Sequence, residues 1–286
     1  MISSDRAVTV EPIIDIKILK DKFPQYYRCL GQDELQPHKI VLCSNLIANK
    51  DELLEKLIMI YSTKLVIIKI INGSISKMNL GFEDINYVVN EGQPNSYCIS
   101  IDYRNGLKER IFFDSNVNEL VNGLLVELRK KLIENTFITE KLDYSDIAFS
   151  DTEENIYTGA LLAKNAVIDK ASVLCSLKQK KVYHHPGLLF NKVMTHAHFT
   201  IVCKQEIIIF MENDNSRPNH NITGDLIHIP LRALKNIALE ATGKGMKMKY
   251  VFNTDKKMEI FYENERTDQL LKIMSYINSM IVRQIE

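Results

Sequence analysis

The sequence has no tryptophan, few cysteines and no excess of charge of either sign. Its 286 residues contain five cysteines, Cys29, Cys43, Cys98, Cys175 and Cys203. These are widely spaced and form no CxxC pair, so we expect neither a disulfide framework nor a zinc site, and a reducing compartment fits best. Basic and acidic residues total 36 each, and a chain without net positive charge is not expected to bind nucleic acid.

Long apolar runs are also missing. No stretch approaches the ~18 apolar residues that a membrane-spanning helix needs. The N-terminus lacks the basic start and apolar core of a signal peptide. We therefore predict a cytoplasmic protein, with a peripheral position at a membrane surface left open. Isoleucine, lysine and asparagine are abundant, which is typical of an AT-rich bacterial genome.

Motifs that would indicate catalysis are absent as well. Ser216, Asp225 and His228 could be imagined as a triad, but no strained nucleophile elbow of the Gly-x-Ser-x-Gly type accompanies them. Gly243-Lys244-Gly245 lacks the spacing of a phosphate-binding loop, and a hairpin turn explains it better. We predict no catalytic residue, no cofactor and no enzymatic activity.

Four histidines raise the possibility of a metal site: His184, His185, His196 and His198. A His-x-His pair on a strand directs both rings to one face, and imidazole binds zinc readily. However, no carboxylate lies beside them at ligand spacing, and Cys203 would have to be brought close by the fold. The sequence therefore favours packed or exposed histidines, and we predict no bound metal.

The feature that the sequence does contain is a repeated order of segments. Branched apolar runs are followed by a turn-flanked segment, another apolar run and an amphipathic helix, once in each half. In the first half the runs are Leu65–Ile68, Leu80–Ile85 and Ile111–Phe113; in the second they are Ile207–Phe210, Ile229–Leu234 and Ile260–Tyr262. Such a repeat predicts two domains of mainly β-structure, each with its own sheets and a terminal helix.

Both helices carry an apolar stripe at helical spacing, which predicts that each covers a sheet. The first stripe is Val117, Leu120, Val121, Leu124, Leu125, Leu128 and Leu132, and the second is Leu270, Leu271, Ile273, Met274, Ile277 and Ile281. We expect Leu124 and Leu128 to be buried.

This order resembles the pleckstrin-homology (PH) fold, and the details resemble bacterial PH-like domains. The segment Ile229–Ile237, which begins Ile-Pro-Leu, is similar to a short apolar segment of that family, and Leu80–Val88 is a weaker counterpart. The resemblance implies two antiparallel barrels, each capped by a C-terminal amphipathic helix. It predicts an N-terminal extension over residues 1–35, a first domain over 36–135, a linker with a short helix over 136–169 and a second domain over 170–286.

The family implies a role in protein interaction or self-assembly, through exposed strand edges that can pair with another chain. The alternative is a peripheral protein that binds anionic lipid or another phosphoanion. In lipid-binding members a basic loop between the first two strands holds phosphate, but Asn49–Glu52 in the first half is not basic. The second half places its basic residues around the equivalent loop: Lys178, Lys180, Lys181, His184, His185 and Lys192. These are the predicted anion-binding residues; a solvated loop without a ligand is the other interpretation.

Overall fold

The computed structural model describes residues 9–13, 15–47, 52–71, 73–93, 96–114, 118–134, 163, 165–184, 192–212 and 224–283. Over these residues the protein is mainly β-structure with some helix, as the sequence predicts. The helices are α1 (Ile16–Lys22), α2 (Pro24–Tyr27), α3 (Asn118–Ile133) and α4 (Thr267–Arg283). None of the helices in these ranges is both long and apolar enough to cross a membrane.

The strands of the first half are β1 (Thr9–Ile13), β2 (Lys39–Ile47), β3 (Glu52–Ile60), β4 (Lys64–Ile71), β5 (Ser74–Gly81), β6 (Ile85–Gln93), β7 (Ser96–Tyr103) and β8 (Leu107–Asp114). Those of the second half are β9 (Val173–Gln179), β10 (Val182–His184), β11 (Lys192–Thr195), β12 (His198–Cys203), β13 (Glu206–Glu212), β14 (Gly224–Pro230), β15 (Leu234–Thr242), β16 (Gly245–Phe252) and β17 (Lys257–Glu263). Every pairing between them is antiparallel.

The strands form one large sheet that contains parts of both halves. Its seven strands have the order β8-β7-β6-β14-β13-β12-β9. Strands β1 to β5 form a second sheet in chain order, β15 to β17 a third, and β10 with β11 a small ribbon. The expectation that each half keeps its sheets to itself is therefore wrong, because β6 of the first half pairs with β14 of the second.

The expectation of two closed barrels is also wrong. Within the described residues, β5 and β1 are the outer strands of the five-stranded sheet, and no pairing joins that sheet to β8. Lys56 of β3 donates to the Glu109 carboxylate of β8 over 2.7 Å, and both side chains are buried. Lys69 binds the same carboxylate. Within the described residues, side-chain ion pairs from two inner strands, and no ladder of backbone hydrogen bonds, link this sheet to β8.

The apolar runs of β3 and β4 arise because both faces of their sheet are covered. Ile67 faces the core that α3 closes, while Val66 faces Leu19 of α1 and Tyr26 of α2. A strand buried on both sides reads as a continuous apolar run rather than an alternating one. The N-terminal segment is therefore part of the packing of the first half: β1 pairs with β2, and the helices cover the outer face.

The second half is covered in the same way. Phe199 and Ile201 of β12 and Ile208 of β13 pack against Ala163 and Val167, which precede β9. Each half therefore has a covering segment, four strands, three strands and a helix, in that order, and the β10–β11 ribbon is inserted in the second half.

The stripe on α3 packs as the sequence predicts. Leu124 and Leu128 are each 2 % exposed and belong to the first-half core. Leu270, Ile273 and Ile277 of α4 are buried in the second-half core. The prediction that Leu124 and Leu128 are buried is confirmed, whereas Leu271 of the predicted α4 stripe is exposed and Val117 of the α3 stripe lies outside the described residues.

The repeat extends to matching hydrogen bonds and irregularities. A one-residue shift follows the Ile85–Tyr103 pair of β6 and β7, and the same shift follows the Leu234–Phe252 pair of β15 and β16. The Phe82 N–H donates to the Thr63 carbonyl, as the Leu231 N–H does to Gln205. A constant difference in residue number therefore relates the two halves from β5 onward, so that β5 is equivalent to β14, β6 to β15 and α3 to α4.

Candidate functional site

The two halves meet along a pair of sheet edges. Four residue pairs join β6 to β14, from Val88 opposite His228 to Glu91 opposite Asp225. β14 is the last of the four strands that begin the second half, and β6 is the first of the three strands that end the first half. The junction therefore adds β14 to β6. The backbone ladder thereby continues from one half into the next.

At this junction, the two faces of the joined sheet pack against different hydrophobic cores. Val89 of β6 and Ile227 of β14, which lie opposite each other, pack into the core of the second half. Val88, the preceding residue of β6, packs into the core of the first half. The core of the second half is thus completed by a strand that belongs to the first.

A buried ion pair stabilises the junction on one face. Arg129 of α3 binds Glu206 at the start of β13 with two nitrogens, at 2.6 Å and 3.3 Å, and donates to the Ala166 carbonyl at 2.7 Å. Both charged residues are less than 5 % exposed. Burial and the Arg129 charge hold the pKa of neighbouring His228 well below its usual value, so His228 is neutral beside Glu206.

A second group of contacts joins the two halves beside the same Val88–His228 end of the junction. Lys256, in the turn before β17, binds the buried carboxylate of Asp102 in β7. The Thr254 hydroxyl of the same turn donates to the Asn86 side-chain carbonyl at 2.7 Å. The rings of Tyr87 and Phe252 lie 5.4 Å apart. These contacts hold the turn before β17 against β6 and β7 of the first half.

The strands equivalent to the joined pair have open edges. β5, the equivalent of β14, is the last strand of the five-stranded sheet, and β15, the equivalent of β6, is the first of the three-stranded sheet. Among the described residues no strand pairs with either of them on that side. β5 also exposes an apolar side chain, because Ile75 is 46 % exposed.

One side chain already occupies part of the β15 edge. The Ile237 N–H donates to Oδ1 of Asn278 at 2.7 Å, and the Asn278 amide nitrogen donates to the Ile237 carbonyl at 2.8 Å. A side-chain amide has the same donor and acceptor as a peptide group. Asn278 therefore binds Ile237 as an added strand would. Val88, the equivalent of Ile237, has β14 at this place.

The described residues of the predicted anion-binding group lie at the end of β9, on the β9–β10 turn and on the β10–β11 ribbon. Lys178 belongs to β9, Lys180 is exposed, and Lys181 is half-buried before β10. The ribbon places His184 opposite Lys192 in the strand register, and His185 lies outside the described residues. The fold thus brings the backbones of His184 and Lys192 together. Anion binding by this group stays a prediction.

The described histidines and acidic residues form no cluster with the composition of a metal site. His198 is fully buried, its ring packs edge-on against Tyr262 at 4.9 Å, and burial lowers its pKa to about 4. It is therefore a neutral core residue at physiological pH.

Four of the cysteines are buried thiols. Burial raises the pKa of Cys43, Cys175 and Cys203 to about 12 and that of Cys98 to about 11. A thiolate is the reactive form of cysteine, so these side chains are poor nucleophiles at neutral pH.

A surface cleft of about 640 Å³ lies between β1, the start of β2 and α3. The charged side chains in its lining are Asp15, Lys39 and Glu127, together with His38. Because acidic and basic groups both line it, the cleft does not select an ion of one sign.

Sequence reasoning missed Arg129 and Asn278, which make the contacts that distinguish the two halves. The repeat contained the signal. Arg129 directly follows the buried Leu128, Asn278 directly follows its equivalent Ile277, and both are polar at the edge of an apolar stripe. A helix position that is polar in both repeats but differs in chemistry indicates two different partners.

Comparison of the chain with models of protein families finds no match, and comparison with curated proteins finds no significantly similar sequence. The geometry of the fold is therefore the basis for assigning a function.

Proposed function

We propose that this protein is a non-enzymatic module with two PH-like domains and that it acts in protein interaction, by self-association through open strand edges. The PH-like assignment is supported by the order of elements in each half, which is four strands, three strands and a C-terminal helix. The fold alone does not define a function, so the functional part of the proposal needs its own support.

One observation carries the functional part: the molecule already joins two repeats by edge pairing, and in its described residues the equivalent edges β5 and β15 stay open. Natural proteins usually cover or blunt an edge, because unpaired backbone groups attract another strand. Addition of a strand to an open edge is a general mode of protein recognition.

Sedimentation equilibrium over a wide range of protein concentration tests this proposal. We expect the weight-average mass to rise above that of one chain as concentration increases, and to do so in high salt, because backbone pairing is not screened as surface ion pairs are. A mass that stays at one chain over the whole range would contradict self-association.

A further inference from the structure

We propose that the edge of β15 is a strand-acceptor site, that its occupant is β5 of a second copy of this chain, and that Asn278 controls access to it. This inference rests on the proposed self-association and adds the edges, the register and a controlling residue.

The backbone of β15 presents unpaired groups at regular positions. In an antiparallel strand, alternate residues direct both backbone groups to the same side. Ile237 directs its groups away from β16, to Asn278. Leu239 and Ala241 lie two and four residues after Ile237, so their backbone groups point to the same side. Nothing in the described part of the chain binds these outward groups. β15 thus offers a row of three residues, with only the first occupied.

The internal junction provides the template for the second copy. There β14 lies on β6, and these strands correspond to β5 and β15. Transferring the register of that junction places Asn79 opposite Ile237, Lys77 opposite Leu239 and Ser76 opposite Glu240. The transferred register avoids a like-charge pair, because it sets an uncharged serine opposite Glu240, whereas the internal junction sets Asp225 opposite Glu91.

On the open edge of β5, the residues that direct their backbone groups outward are the ones that this pairing requires. Ile71 and Ser74 form the closing pair of the β4–β5 hairpin, so Ile75, Lys77 and Asn79 direct their backbone groups outward. Extension of the register sets Ile75, an exposed apolar side chain, opposite Ala241. Strand addition would therefore cover apolar surface as well as satisfy backbone groups.

The contact uses two different surfaces of the molecule, so it does not close on itself in a dimer by symmetry. A β15 edge accepts β5 of the next copy, whose own β15 edge stays open. Head-to-tail contacts of this kind produce open chains, or rings when the rotation closes.

Asn278 opposes the addition of a strand to the β15 edge. It must release Ile237 before a strand can bind there, and the released amide then returns to water. Replacing it with alanine leaves the Ile237 groups unpaired in the single chain and removes the competitor, which favours strand addition. We therefore expect Asn278→Ala to increase association, whereas an ordinary interface residue would decrease it when truncated.

Disulfide trapping between two single variants tests the register. Ser76 and Glu240 would form a pair without mutual backbone hydrogen bonds, in which the Cα atoms are about 4.5 Å apart, within the range for a disulfide. Ser76→Cys protein is mixed with Glu240→Cys protein under mild oxidation, and the linked peptides are identified by mass spectrometry. Because each variant carries one new cysteine, a disulfide between the two introduced thiols must join two copies. Ser62→Cys, in the exposed β3–β4 turn, replaces Ser76→Cys in the control mixture.

We expect the disulfide between the two introduced thiols in the first mixture, none in the control, and a higher yield when Asn278→Ala is added to the Glu240→Cys protein. Absence of this disulfide, or a yield lowered by Asn278→Ala, would overturn the inference. Sedimentation of the same samples distinguishes a failure of the proposed β5–β15 contact from a failure of self-association itself. A rise in mass without the disulfide refutes these edges but keeps self-association, and no rise in mass refutes both.

Discussion

Arg129 and Asn278 occupy equivalent positions on the two terminal helices, but they bind different partners. Arg129 reaches Glu206 in the other half, whereas Asn278 binds the backbone of Ile237 in its own half. The difference follows what lies beside each helix. β14 covers the strand edge beside α3, and in the described residues no strand covers the edge beside α4. The same helix position thus joins the two repeats in one case and occupies part of an open strand edge in the other.

The Arg129–Glu206 pair should contribute strongly to the free energy of unfolding. Arg129→Met leaves a buried carboxylate without its partner, which typically costs about 3–5 kcal/mol. Urea denaturation followed by circular dichroism measures this change. The double variant Arg129→Met with Glu206→Met should recover most of the loss, since no unpaired charge remains. Exposed Arg110→Met is the control. A single variant as stable as the wild type would show that the pair is unimportant.

Truncation of apolar residues on the terminal helices should lower stability strongly only where the side chain is buried. Leu124→Ala on α3 removes a side chain that is 2 % exposed, and truncation at a buried site costs about 2–5 kcal/mol. Leu271→Ala on α4 truncates a leucine that is 43 % exposed and should change stability far less. Thermal unfolding of both variants makes the comparison. Equal midpoints for the two variants would refute the helix packing described above.

Stability should fall in acid because of a buried histidine. The folded-state pKa of His198 is lowered to about 4 by burial, while the ordinary value is about 6.5. The unfolded chain therefore binds more protons between these values, and stability is lost as pH falls from about 6.5 towards 4. The loss should approach about 3 kcal/mol from His198 alone.

The substitution His198→Phe should reduce this dependence, because phenylalanine keeps an aromatic ring against Tyr262 and cannot bind a proton. Part of the dependence should remain, since the pKa of His228 is lowered as well. Urea denaturation at a series of pH values measures the slope, and exposed His38→Phe is the control. A slope unchanged by His198→Phe would contradict a buried neutral histidine.

Anion binding by the second-half loop is the rival prediction, and vesicles test it. It requires that the wild type bind anionic phosphatidylserine vesicles at low salt, that binding weaken as salt rises, and that changing Lys178, Lys180 and Lys181 to glutamine abolish it. We expect the wild type to stay in the supernatant when the vesicles are pelleted. Salt-sensitive co-sedimentation that the triple variant loses would establish a membrane role instead.

The sequence predicted what depends on local pattern. The strand runs and the apolar stripes were visible because side-chain burial repeats with the period of the element, as for Leu124 on α3. β5 was largely missed, since Ser74, Ser76 and Asn79 interrupt its pattern. That polar pattern suits an edge strand with an exposed end.

The pairing of β6 with β14 could not be predicted from the pattern of apolar residues. Ile227 and Val89 are apolar whether their strands pair with each other or face separate cores, so composition does not distinguish a joined sheet from two barrels. The choice depends on backbone geometry at β6 and β14 and on long-range partners such as Arg129 and Glu206, which are 77 residues apart.

Sedimentation velocity of the wild type beside Ala241→Pro tests the central claim most directly. Ala241 is exposed, and its N–H faces away from β16, so proline removes only an outward donor and places its ring on the open edge. Circular dichroism and the thermal midpoint confirm that the variant is folded. At high concentration we predict multimers for the wild type and single chains for Ala241→Pro. Identical sedimentation of the two proteins would contradict association through the β15 edge.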